Sequence, residues 1–151
     1  YVLPVPPASP CLIYPIGPEE YNLRRERLLA GRTHVSYSDP DLVIQKNVSR
    51  LSGQDIYGIE LYGFPGCAAV ENGPGSRLSI KELLMAEELV PETIEHLRRL
   101  ALGQPCTVRI PAYYDERCGG SIRPFGLIKL FPGADPETAD LDTAYLGLAF
   151  D

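Results

Sequence analysis

Two histidines, four cysteines and the carboxylates are the groups from which acid–base, nucleophilic or metal chemistry would have to be assembled in this chain. His34 lies in GRTHVSYSD with Asp39 and Asp41 downstream, but neither the number of ligands nor their spacing matches a metal site. His96 follows Glu92 by four residues and precedes Arg99 by three, which describes a residue on a helix surface. Cys118 opens CGG, so a tight turn there would present its thiol as a nucleophile. With no CxxC in the chain, a zinc or thioredoxin-type site is disfavoured. GFPG and NGPGSR do not end in the lysine and hydroxyl that a phosphate-binding loop needs, and their glycines read as turns. Asn47-Val48-Ser49 fits the N-glycosylation pattern, which counts only in a secreted protein. No residue is assigned a catalytic, cofactor-binding or metal-ligating role, and the chain reads as a non-enzyme with no cofactor and no small-molecule substrate.

The strongest local signal concerns binding. Residues 1–18, YVLPVPPASPCLIYPIGP, hold six of the chain's 15 prolines, and proline fixes φ and removes a donor, which excludes helix and any central strand. Val2, Leu3, Val5, Leu12, Ile13 and Tyr14 give this segment apolar area, worth about 25 cal/mol per Å² once docked on a preformed surface. It is expected to be an extended arm, residues 1–18, on a single globular domain of residues 19–151. A second contact is suggested by charge. Arg24, Arg25 and Arg27 cluster near the start, whereas residues 135–151 carry five carboxylates and no Lys or Arg, so one copy or partner would meet the next head to tail.

The elements that must position these groups follow from composition and pattern. At 151 residues the chain is one domain's worth, and its 44% hydrophobic content sets it among globular and not disordered proteins. A net charge of −6 opposes attraction to nucleic acid or anionic lipid and suits a basic protein partner. No apolar run approaches the length needed to cross a bilayer. The four cysteines allow three pairings, Cys106 with Cys118 being the natural one across a hairpin; the alternative is four thiols acting as small hydrophobes. A start at Tyr1, with Met85 the only methionine, suits removal of a leader or maturation by cleavage.

Along the chain, Glu19–Leu29 reads as a short helix between Pro18 and Gly31. Asp41–Lys46 and Asp55–Tyr62 read as strands, residues 63–77 as mostly loop with a short strand at Cys67–Val70. Ser79 and Glu82 form a capping-box pattern before an apolar run, predicting a helical segment over about 80–102 with a break at Val90-Pro91. Residues 106–131 read as a hairpin and 144–150 as a terminal strand. The fold class that results is α+β, a mainly antiparallel β domain with one central helical segment and the N-terminal arm.

Taken together, these features point to a non-catalytic structural or adaptor subunit that binds other proteins or itself in a larger assembly, of which a virus or phage particle is one form. A secreted location would follow if the cysteines were bridged. The alternatives are a winged-helix-like DNA-contacting domain, because residues 79–100 have the outline of a helix-turn-helix before a hairpin, and a small enzyme dependent on Cys118.

Overall fold

The computed structural model describes residues 11–112, 114, 121, 133 and 144–148. Its fold is α+β. Five strands, β1 (Leu12–Pro15), β2 (Ile56–Leu61), β3 (Phe64–Asn72), β4 (Leu78–Leu84) and β5 (Cys106–Val108), lie in sequence order across one sheet. The first three pairings are antiparallel and the last, β4 with β5, is parallel. Helices α1 (Pro18–Leu28) and α2 (Asp39–Leu51) separate β1 from β2, and α3 (Val90–Arg98) separates β4 from β5.

The sheet is buried on both faces. Against α1 and α2 it contributes Ile56, Cys67, Ala69 and Leu84 to a cluster with Tyr21, Leu29, Leu42 and Leu148. Towards α3 it contributes Ile59, Leu61, Ala68, Val70, Ile80 and Leu83, packed with Val90 and Leu97. β2 and β3 are joined by a two-residue turn at Tyr62-Gly63, both with positive φ (52° and 80°), the geometry that matches the twist of a hairpin.

The helix expected from Glu19 is present as α1, opened by Pro18 with Glu19 and Glu20 in its first turn, and the strand expected over Asp55–Tyr62 is β2. Three other segments differ from their sequence reading. Asp41–Lys46 is helical, because Ser38 accepts from the Asp41 amide while the Asp41 carboxylate accepts from Ser38, with Pro40 in the first turn. Residues 63–77 are not mainly loop: β3 is a nine-residue central strand, and Pro65 is tolerated because the β4 pairing begins only at Cys67. The helix expected over 80–102 begins only at Val90. Residues 78–84 form β4, which leaves Ser79 in a strand with no helix to cap.

The segment expected as an arm enters the sheet at Leu12. Residues 12–15 pair with β2, Ile16 is buried, and α1 starts at Pro18, so residues 11–18 belong to the fold, while Val2, Leu3 and Val5 lie outside the described residues. Of the hairpin expected over 106–131, β5 is present and joins β4; the returning segment, including Cys118, lies outside the described residues. Near the other end Tyr145 makes a parallel bridge with His34. Among the described residues no helix is long and apolar enough to cross a membrane.

Candidate functional site

The most concentrated chemistry lies between the helical layer and the sheet. On α1, Tyr21 and Arg25 are one turn apart and face inward together with Leu29 just beyond the helix, all three fully buried. Glu82 of β4 points to the same side of the sheet, opposite Ala69, whose small side chain leaves room for it. Arg25 Nε donates to both Glu82 oxygens, at 3.2 and 3.3 Å, and the Tyr21 hydroxyl donates to Oε2 at 2.8 Å. Nη1 donates to the Val35 carbonyl at 2.7 Å and to Glu26 at 3.3 Å. The Tyr37 ring stacks over the guanidinium, 4.7 Å from its carbon to the ring centre, and the Tyr37 hydroxyl donates to the carbonyls of Leu146 and Leu148.

The segment 144–148 closes this cluster. Gly147, at φ +77°, lies so close that a Cβ there would overlap Arg25 Nη2 and come within 3.0 Å of Glu82 Oε1. Nη2 and the Tyr145 hydroxyl are buried without a hydrogen-bond partner among the described residues, although Tyr145 lies beside Glu82 and feels its charge. Burial, reinforced by that negative charge, pushes the Tyr21, Tyr145 and Cys67 protons well above their ordinary range. Burial works against the charge on Arg25, but Glu82 with the neighbouring Tyr21 and Tyr145 together outweigh it, so the guanidinium stays cationic. The arrangement clasps α1, β4, the 34–37 segment and residues 144–148 together. These residues line neither the groove between the starts of α1 and α2 nor the one beside β4.

Smaller polar ties flank the clasp. Arg24 binds Glu20 at 2.8 Å and Glu60 at 3.0 Å, and reaches the Tyr14 hydroxyl at 2.7 Å. Gly58 makes room for it, since a Cβ there would lie 3.3 Å from the guanidinium carbon. Lys46 Nζ donates to Asp55 at 2.6 Å and to the Ile16 carbonyl at 2.8 Å, fastening the end of β1 between α2 and β2.

The basic cluster of the sequence is therefore divided by the helix. Arg25 is fully buried and Arg24 mostly so, each held by carboxylates of its own chain, and of the three only Arg27 is exposed. The reason is the turn of about 100° per residue, which sends neighbouring side chains to different faces. Arg25 is thus withdrawn from any head-to-tail contact. Leu12 is exposed, while Ile13 and Tyr14 are half-buried against the two cores.

His34 is held by the Arg32 carbonyl at 2.7 Å and Glu26 at 2.9 Å, and Asp39 and Asp41 are engaged by Asn22 and Ser38. His96 stays on the α3 surface near Glu92 and Arg99. No group of three or more potential ligands gathers among the described residues. Of the glycosylation pattern, Asn47 is exposed on α2 and Ser49 is buried. Cys11, Cys67 and Cys106 are free thiols. The helix-turn-helix outline is lost, because its first helix is β4.

Three features of the surface stand out. At the end of the sheet where residue 11 leads into β1, Leu12, Tyr62 and Phe64 are 52%, 49% and 54% exposed. Between the starts of α1 and α2 lies a groove of about 620 Å³ bounded by Pro18, Glu19, Glu20, Asp39, Pro40 and Val43. A second groove, beside β4, carries Arg77, Lys81 and Arg109 together with Glu71, which stands 3.8 Å from Lys81. No family model, curated protein or solved structure matches the chain.

Proposed function

We propose that this protein is a non-catalytic structural or adaptor subunit that binds other proteins within a larger assembly, a virus or phage particle being one form. The observation that carries the reading is β1, which among the described residues is an edge strand bonded only to β2. It continues directly from the proline- and hydrophobe-rich residues 1–10. Because the Ile16 amide bonds to the Ile56 carbonyl, alternation places Tyr14 and Leu12 in the bonded pairs and turns the backbone of Ile13 and Pro15 outward. The outward amide of Ile13 and the neighbouring exposed Leu12, Tyr62 and Phe64 make this end of the sheet adhesive, and residues 1–10 extend it.

The test is removal of residues 1–10. Native mass spectrometry of the intact and shortened chains should show loss of species larger than a dimer, with cooperative urea unfolding kept. Loss of cooperative unfolding, or an unchanged distribution of large species, would refute the assignment.

A further inference from the structure

We propose that the groove beside β4 binds carboxylates and that its occupant is the acidic stretch 134–143 of the same chain. α1 and α2 pack over β2 and β3. Farther across that side of the sheet the lining turns cationic. Glu71, near the end of β3, accepts from Gln45 of α2 at 2.9 Å and stands 3.8 Å from Lys81 Nζ, which places Lys81 on the helical side. Ser79 is opposite Glu71, Thr107 is opposite Ser79, and Arg109 lies two residues beyond Thr107, so these side chains share a face. With Arg77 they line a groove of about 780 Å³. Among the described residues its charged lining is three cations, Arg77, Lys81 and Arg109, against Glu71 alone. Arg77 is exposed and has no ion pair among the described residues. In a chain of net charge −6 this is a local reversal of sign, and it favours an anionic occupant.

Charge and tether together select that occupant. Residues 134–143, ADPETADLDT, lie outside the described residues and carry Asp135, Glu137, Asp140 and Asp142 with no Lys or Arg. They lead directly into residues 144–148, which sit in the clasp on the same side of the sheet. There Tyr145 lies beside Glu82, and a Cβ on Gly147 would come within 3.0 Å of Glu82 Oε1. Glu82 is the neighbour of Lys81 in β4, so the acidic stretch joins the fold beside the Lys81 end of the groove. Asp142 and Asp135 precede Ala144 by two and nine residues, a reach of up to about 7 and about 31 Å. From Lys81 to Arg77 is four strand residues, about 13 Å. Asp140 and Asp142 are thus in range of Lys81 and Arg109, and Asp135 and Glu137 in range of Arg77. A tethered segment acts at an effective concentration of millimolar order, whereas a free polyanion must approach against the net negative charge of the chain. Exposed ion pairs are weak one by one, and the tether makes several of them sufficient. The inference uses no residue of β1 and is independent of the function proposed above.

Carbodiimide coupling, which joins a lysine amine to a carboxylate in contact with it, tests this on the full chain. A mixture of heavy-isotope-labelled and unlabelled protein is coupled, digested and read by mass spectrometry. Lys81 should couple to the 134–143 peptide with both halves carrying the same isotope, and its coupling to Glu71 is the internal control. Raising NaCl from about 20 to about 500 mM should lower the 134–143 product at least about threefold. Arg77→Glu, at an exposed position, should lower it about twofold at low salt, with circular dichroism melting to verify the fold. A labelled peptide of residues 134–143, followed by fluorescence anisotropy, separates docking from mere proximity. It should bind the variant Asp135→Asn, Glu137→Gln, Asp140→Asn, Asp142→Asn at least about tenfold tighter than the intact chain, because only there is the groove without its own occupant. Absence of a Lys81 product with 134–143 beside the Glu71 product overturns the proposal. So does a product joining unlike isotopes, which assigns the segment to a second copy. A product indifferent to salt and to Arg77→Glu, or a peptide that binds both chains equally, likewise overturns it.

Discussion

Replacing Arg25 by Met keeps an unbranched apolar stem and removes the guanidinium, which tests the role of the counter-charge in the clasp. The variant strips Glu82 of both guanidinium contacts and leaves it, fully buried, with the Tyr21 hydroxyl as its remaining hydrogen-bond donor among the described residues. Breaking a buried pair in this way costs about 3–5 kcal/mol. A second route sets a ceiling, because a stranded carboxylate can take up a proton, and for a glutamic acid side chain this costs about 3.7 kcal/mol at pH 7 and about 1 kcal/mol at pH 5. The Val35 carbonyl also loses its donor, worth about 1 kcal/mol. The variant should therefore lose about 4–5 kcal/mol at pH 7 and only about 2 at pH 5. That is a third or more of the 5–15 kcal/mol available to a domain. Adding Glu82→Gln, which keeps an acceptor for Tyr21 but no charge, should return about half of the loss at pH 7 and little at pH 5. Urea unfolding of the wild type and both variants at the two pH values measures this, with the m-value as a check on compactness. A loss below about 1 kcal/mol, or an equal loss at both pH values, would refute the description of Arg25 as the counter-charge that makes Glu82 tolerable in the core.

Two further expectations concern the same layer. Ser38→Ala should destabilise the protein by about 1 kcal/mol through loss of the α2 cap, whereas Ser79→Ala should be nearly silent, and a comparison of their melting temperatures distinguishes a cap at Ser38 from one at Ser79. Tyr21, Cys67 and Tyr145 hold their protons more tightly folded than unfolded, so their contribution is complete below the ordinary cysteine and tyrosine values of 9.0 and 10.0 and is lost as pH climbs beyond them. Each adds a slope of up to about 1.4 kcal/mol per pH unit; unfolding midpoints between pH 8 and 11 should fall accordingly, and Cys67→Ala should delay the onset. A flat profile to pH 11 would contradict the burial of these groups.

What the sequence disclosed depended on whether an element exposes a face. β2 and α1 carry punctuation and partial alternation, and both were legible. β4 alternates only over Leu78–Lys81; beyond a register shift Glu82, Leu83 and Leu84 are all buried, so the two-residue rhythm is cut short, and Ser79 with Glu82 imitates a helix cap. In α2 the opposite happened. Val43, Ile44 and Val48 are β-branched and suggest a strand, yet they face water and the helix is set by Ser38, Pro40 and Asp41. The Ser-x-x-Asp spacing was present as a signal that could have identified it. The clasp was not legible at all. Its members, Tyr21, Arg25, Tyr37, Glu82 and Tyr145, are distributed over more than 120 positions, and nothing in a run of arginines says which one turns inward until the helix phase is known.

The outward-facing Pro15 also bears on how this sheet avoids growing without limit. An open edge is a template on which a further strand, and then another, can be laid down, and a long flat edge leads towards fibrils. Here the template is interrupted: Pro15 offers no amide to an incoming strand, so β1 can be extended only over its first residues, and among the described residues the opposite edge, β5, is three residues long. Among the described residues, too few backbone bonds are on offer at either side for a strand to be held by its main chain alone. On the proposed reading, a guest at this edge would have to supply side chains that match the surface, and Pro15 would halt indiscriminate stacking.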